Sequence, residues 1–317
     1  MWYRSRLLAL VAVLLFLLPA CSGAVAPAAQ QAATPSPSLA GRYPLTVSDD
    51  RGHALTLAAV PMRIVSLAPS ATEIVFALGA GDRVVATDDF SDFPAEAKAL
   101  PKLGGVRTSP EKIVAVQPDL ILAITSGNLP AQLDSLGQPL FVFDPSDLEG
   151  VYKNILAVGR LVDREQHAQQ IVTDMRSRVD AIGAKAKQAT TKPLVLHEVD
   201  STDPNRIFVA GPRNFIDSMI AVCGGVNVAA DAPTKFPAFS PEQIVARAPD
   251  IIVLADYRFG TTPEMVTARP GWSAIPAVRQ RAIYPIDDDL VSRPGPRLVL
   301  GFEAYAKLLH PELFGKP

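Results

Sequence analysis

The sequence predicts an α/β protein of two lobes with largely parallel sheets joined by one long rigid helix, and three observations carry that expectation. Strand-like and helix-like segments alternate in both halves of the chain. One long amphipathic helical pattern separates the halves. A short segment is written twice, as "SPEKIVAVQPDLILA" from Ser109 to Ala123 and as "SPEQIVARAPDIIVL" from Ser240 to Leu254.

Residues 1–20 stand outside this fold. Arg4 and Arg6 precede the apolar stretch Leu7–Leu18, and "LPAC" places small residues before Cys21. The pattern is that of a bacterial lipoprotein signal peptide, with Cys21 becoming the lipidated first residue. A transmembrane anchor is the alternative, but the apolar stretch is short for a bilayer. Residues 21–41, rich in Ala, Pro, Gln, Ser and Thr, read as a flexible tether. The rest is then extracytoplasmic, held to the cell membrane by its lipid alone. Lipidation leaves Cys223 as the other cysteine, which excludes an internal disulfide and reads as a small buried hydrophobe.

The N-terminal lobe spans 42–162. It opens with alternating apolar residues from Tyr43 to Leu57 around Asp-Arg-Gly, a β-hairpin signal. Strands follow at Ile64–Leu67, Val84–Thr87, Leu120–Ala123 and Leu140–Phe143, with helical patterns at Ala71–Leu78 and Pro110–Val116. The linking helix occupies 163–190. From Arg164 to about Ala189, Ala168, Ile171, Val172, Met175, Val179 and Ile182 fall on one stripe, and Asp163 with Gln166 suggests a capping box. At 1.5 Å per residue this helix reaches about 39 Å, a brace that permits only small opening motions. The C-terminal lobe, 191–317, carries strands at Leu194–His197, Ile207–Ala210, Ile251–Leu254 and Ile283–Ile286.

In each copy of the duplicated segment Ser is placed to cap a helix, Pro takes the first helical position, and a glutamate, Glu111 or Glu242, enters the first turn. Helix capping alone accounts for one such segment. Two copies with matching downstream strands point to two similar lobes, each presenting one carboxylate at an equivalent surface position.

Charge and motifs narrow the function. Beyond residue 20 the chain has 28 Lys and Arg against 32 Asp and Glu, which disfavours nucleic-acid binding. "GAGDRV" (Gly79–Val84) follows a helix and precedes a strand, the wrong context for a dinucleotide site, and reads as a helix stop. Asp88, Asp89, Asp92 and Asp287–Asp289 lack cation-loop spacing and read as solvated turns. His53, His167, His197 and His310 lack metal-ligand spacing. Without Gly-x-Ser-x-Gly, a P-loop or His-Glu-x-x-His, an enzyme with a two-lobed cleft is a weaker reading than a binding protein. A surface lipoprotein that binds a partner protein is a third reading.

"RIVSLAPSATEIVFALGAGDRVVATDDFSDFP" (Arg63–Pro94), the two Ser-Pro-Glu segments and "AVCGGVN" (Ala221–Asn227) resemble the class III substrate-binding proteins of ABC importers for cobalamin, iron siderophores or haem, closest to the cobalamin branch. The resemblance runs from about Tyr43 to the C-terminus. It implies a monomer with two α/β lobes and a ligand cleft between them. It also implies transport rather than catalysis, no cofactor or resident metal, and a permease dimer with ATPase subunits as partner. In such proteins one glutamate per lobe, here Glu111 and Glu242, meets arginines of the permease.

By position, the resemblance implies ligand contacts at Phe90, the loop Thr125, Ser126, Gly127 and Asn128, and Phe208, Phe236, Asp289 and Arg293. A corrin is a broad apolar plate with amide arms and suits aromatic walls. Asp289 and Arg293 alternatively pair with each other. The sequence departs from the cobalamin pattern where Gly105 and Ile124 stand at tryptophan positions and Phe90 at a tyrosine position. The expected ligand is therefore cobalamin or a related corrinoid, with an iron chelate or haem second. Tyr257 is the one candidate haem ligand near a strand end.

Overall fold

A computed structural model describes residues 42–105, 108–125 and 127–316. Strands β1 (Leu45–Ser48) and β2 (Ala54–Leu57) pair as the expected hairpin. Strands β3 (Ile64–Ser66), β4 (Val84–Thr87), β5 (Leu120–Ile124) and β6 (Leu140–Phe143) form a parallel sheet in the order β4-β3-β5-β6. Helices α1 (Pro69–Ala77), α2 (Pro110–Ala115), α3 (Leu129–Ser135) and α4 (Leu148–Leu161) alternate with them. The hairpin turn protects the edge strand β6: Asp50 N–H donates to the Val142 carbonyl, and the Asp49 carboxylate accepts from Val142 N–H.

Helix α5 (Glu165–Ala186) leads to the second sheet, in the order β10-β8-β7-β11-β12, with β9 also on β7. Its strands are β7 (Leu194–Asp200), β8 (Ile207–Val209), β9 (Val226–Asn227), β10 (Ala238–Phe239), β11 (Ile251–Leu254) and β12 (Ile283–Pro285). Only β8 runs against the rest, so the sheet is largely parallel, as predicted. Its helices are α6 (Phe215–Val222), α7 (Pro241–Arg247), α8 (Pro263–Thr267), α9 (Pro276–Arg279), α10 (Asp288–Val291), α11 (Leu298–Leu309) and α12 (Pro311–Phe314).

Both sheets are covered on both faces, so their strands are largely apolar and odd and even residues enter different cores. Ile64, Leu120 and Leu122 of the first sheet share one cluster with Val195, Ile251 and Val253 of the second. Their strand neighbours Val65, Ile121 and Ala123 pack in a separate cluster, as do Leu196, Ile252 and Leu254. The shared cluster contains the buried stripe of α5, namely Ala168, Val172, Met175, Val179 and Ile182, packed on α4, α6 and α11. The brace thus seats one face against helices of both halves. It is 22 residues long, about 33 Å, rather than the 39 Å expected.

The predicted capping box on α5 does not form. Its N-cap is Arg164, without a side-chain cap, while Asp163 adopts φ 55° and its carboxylate binds Arg42 at 2.7 Å. Cys223 is fully buried as expected, and burial pushes its thiol pKa up. The signal peptide, Cys21 and the tether lie outside the described residues. Among those residues, no helix is long and apolar enough to cross a membrane.

Candidate functional site

Parallel strands end at one rim, and loops leaving their carboxyl ends are the usual ligand-binding positions of α/β sheets. Here β3, β4, β5 and β6 supply one such rim, and β7, β11 and β12 supply another. The two halves touch at opposite edges. Arg293, beyond edge strand β12, reaches Asp92, beyond edge strand β4, at 2.7 Å. Lys235, before edge strand β10, reaches Asp144, after edge strand β6, also at 2.7 Å.

On the first rim Leu67, Pro69, Phe90, Gly105, Ile124 and Leu129 line an apolar recess. Phe90 is 58% exposed and Ile124 39%. Asp88 positions the Phe90 turn: it is buried and accepts from Phe90 N–H at 2.6 Å, Ser91 N–H at 3.0 Å and the Ser91 hydroxyl at 2.7 Å. A Cβ on Gly105 would fall 3.0 Å from the Phe90 ring. The small residue at 105 is therefore what lets that ring lie over the recess, so positions 105 and 90 are sterically coupled. Thr125, Gly127 and Asn128 follow β5 and are exposed, with Gly127 at φ 56°. Ser126 lies outside the described residues.

On the other side, Phe236 is exposed, whereas Phe208 is half-buried within β8 beneath Arg206, whose guanidinium lies 5.1 Å from its ring centre. Asp289 and Arg293 pair with each other at 2.8 Å. That pair belongs to a larger network. Arg293 also meets Asp92 and Glu73, the latter at 3.3 Å, and points one N–H at the Phe90 carbonyl at 3.5 Å. Arg297 grips both oxygens of Glu73 at 2.6 and 2.8 Å and lies 3.9 Å over the Phe93 ring. Arg258 completes the network on Asp289. Burial works against the charge on Arg293, but Asp92, Asp289 and Glu73 outweigh it and hold its pKa above the ordinary value. Burial likewise pushes Asp92 up, and Arg293 more than reverses it, leaving the carboxyl below its ordinary range.

The aspartates predicted as solvated turns are therefore largely engaged. Asp88 caps a turn, Asp92 and Asp289 bind arginines, and Asp287 accepts from Asp289 N–H at 3.1 Å. Sequence reasoning did not single out Glu73, Arg297, Asp144 or Lys235. Glu73 left a legible signal, the one charged residue of helix α1, and it is 3% exposed.

The duplicated segments fold alike, with the helix of the second copy one residue longer. Glu111 and Glu242 are exposed in the first turns of α2 and α7. Gln117 and Ala248, each before a proline, take φ 48° and 47°. Asp119 then accepts from Met62 and Arg63 N–H at 2.9 and 2.8 Å at the start of β3, and Asp250 accepts from Leu194 N–H at 2.9 Å at the start of β7. The caps differ. Ser240 and Gln243 form a capping box, and the Ser240 hydroxyl donates to Glu242 at 2.7 Å. Ser109 accepts no capping bond from a backbone N–H of its helix, and Lys112, at the position that would return the box, has no acceptor to offer. The pKa of Glu111 is lowered, first by its own backbone N–H and then by Ser109; that of Glu242 is lowered, first by Ser240 and then by its own N–H.

The family model described as "Periplasmic binding protein" matches residues 64–290. The chain is 37% identical over 281 residues to the Bacillus subtilis (strain 168) uncharacterized ABC transporter substrate-binding lipoprotein YvrC, covering 86% of this chain and 87% of that one. It is 34% identical over 251 residues to a vitamin B12-binding protein of Vibrio parahaemolyticus, covering 77% and 88%. Among solved structures, the periplasmic heme-binding protein RhuT of Roseiflexus sp. RS-1 in apo form superposes with a TM-score of 0.69 at 32% identity, covering 78% of this chain and 97% of that one. These relatives are binding and transport proteins by name, not enzymes.

Proposed function

Because the chain belongs to the periplasmic binding protein family, we propose that it is the substrate-binding lipoprotein of an ABC importer, anchored outside the cell membrane through Cys21. Its ligand is cobalamin or a related corrinoid, held between the two rims and passed to a permease dimer that docks on Glu111 and Glu242. The observation that carries this reading is the pair of exposed, ionised carboxylates on two segments with the same backbone. A permease with twofold symmetry needs two equivalent handles, and arginine–carboxylate bonds are the strong, directional choice for them.

The apolar recess under Phe90 and the exposed Thr125, Gly127 and Asn128 suit a broad apolar ligand with polar arms. Phe236 supports the same site from the second sheet. Phe208 contributes only if Arg206 leaves its face, and Arg293 reaches a ligand only by giving up an acid. Haem is the second reading, favoured by the RhuT likeness, with Tyr257 as the candidate iron ligand.

Isothermal titration of the folded chain with cyanocobalamin, haemin and a ferric hydroxamate tests the ligand. Tight, stoichiometric binding of cyanocobalamin is expected. Binding of haemin or the ferric hydroxamate alone replaces the corrinoid reading, and turnover of any of them contradicts a transport role.

A further inference from the structure

We propose that Thr72 and Ser91 are positioning residues, whose buried hydroxyls fix the turn Asp88–Ser91 and so hold Phe90 over the apolar recess. This deepens the importer reading and rests on it, because the ligand is what Phe90 would meet there. Phe90 lines the recess with Leu67, Gly105 and Ile124. Its ring is mostly exposed, so its own packing holds it only in part, and its place is set by the turn that carries it.

That turn is pinned by a chain of buried polar groups. Ser66, Thr72, Asp88 and Ser91 are all less than 5% exposed. The Ser91 hydroxyl donates to the Asp88 carboxylate at 2.7 Å and lies 2.7 Å from the hydroxyl of Thr72. The Thr72 hydroxyl in turn lies 2.8 Å from that of Ser66 and 3.2 Å from the Ala68 carbonyl. Ser66 ends the interior strand β3 and Thr72 belongs to α1, so the chain runs from the middle of the first sheet through the helix to the turn. Asp88 N–H closes the circuit by donating to the Ser66 carbonyl at 3.0 Å. Lys102 adds a separate hold, donating to the Ser91 carbonyl at 2.6 Å and the Thr87 hydroxyl at 2.9 Å.

Buried hydroxyls cost free energy unless each finds a partner, so apolar side chains would fill this space more simply. What the polar chain adds is direction: hydrogen bonds set the orientation of a turn that apolar contacts alone would let slide. The next residue of α1, Glu73, binds Arg293 and Arg297, and Arg293 reaches Asp92 and the Phe90 carbonyl. Adjacent residues of one helix therefore hold the Phe90 turn within its own half and tie it to the other half. A ligand that meets a ring already in place gives up less freedom on binding.

The test places para-fluorophenylalanine at position 90, where its fluorine signal reports the ring without any ligand, beside titrations with cyanocobalamin, haemin and a ferric hydroxamate. Thr72→Val keeps the shape and removes the hydroxyl. It is expected to broaden or split the signal and to weaken binding of whichever compound the wild type binds by about fivefold. Ser91→Ala is expected to act in the same way, and Thr72→Ser to restore both readings. Val75→Ala truncates the core on the same helix and removes no polar partner of the turn. It is expected to lower the melting temperature while signal and affinity stay as in wild type. An unchanged signal or an unchanged affinity in Thr72→Val, or changes as large in Val75→Ala, overturns the positioning role and leaves the importer reading standing. If the wild type binds none of the three compounds, the ligand reading fails, and the fluorine signal alone decides whether Thr72 and Ser91 hold the ring.

Discussion

The two halves are alike at their duplicated helix starts and unlike where they face each other. Residues 109–123 and 240–254 repeat the same prolines, a left-handed residue at the same position and the same strand-capping aspartate. At the facing edges, the first half offers the acids Glu73 and Asp92, and the second offers Arg293 and Arg297. A repeated backbone suits a partner that meets both halves in the same way. Complementary charges suit two halves that must hold each other. The facing contacts are also unequal: the β4/β12 edge carries a buried network, the β6/β10 edge a single exposed pair.

Breaking the facing contacts has the largest expected effect. Glu73→Ala strands part of the charge of Arg293 and Arg297, which remain 12% and 20% exposed. Removing one partner of a buried pair costs about 3–5 kcal/mol; with Asp92 and Asp289 still present, roughly 2–3 kcal/mol is expected in urea denaturation. Lys235→Ala at the other edge should cost no more than about 1 kcal/mol. Equal losses would mean that the two edges hold the halves alike.

The repeated segments differ by smaller amounts. Asp119 accepts two backbone N–H groups and Asp250 one, so Asp119→Ala should cost about 2 kcal/mol and Asp250→Ala about 1 kcal/mol in the same assay. Smallest is the cap. Gln243→Ala should lose roughly 0.5–1 kcal/mol, and Lys112→Gln should gain a few tenths by letting Ser109 close the missing box.

Much of this was legible because it is local. Val84–Thr87, Leu140–Phe143 and Ile251–Leu254 emerge as strands with the predicted bounds, since short apolar runs bounded by turn residues have few alternatives. The stripe of α5 followed from its spacing. Its start did not: Asp163 is drawn off by Arg42, 121 residues away, and a pairing of that range leaves no mark in a local pattern. The candidate site divides in the same way. Phe90 and the loop 125–128 were suggested by the family resemblance, and the two glutamates by the repeat, which is itself a local pattern. The engagement of Arg293 by Glu73 and Asp92 joins residues about 200 positions apart, and only the packing of the two halves brings them together.

The claim that the repeated carboxylates are handles for a permease is tested most directly by comparing uptake with ligand affinity in Glu111→Ala/Glu242→Ala. Both side chains are exposed, so their removal should leave titration with the bound ligand within about twofold of wild type while uptake by cells dependent on this chain falls at least about tenfold. Because both carboxyls sit below their ordinary range, docking should persist as pH falls to about 5 and fail only at lower pH, once they take up protons. Uptake at the wild-type rate in the double variant, or ligand affinity falling in step with uptake, would contradict the account.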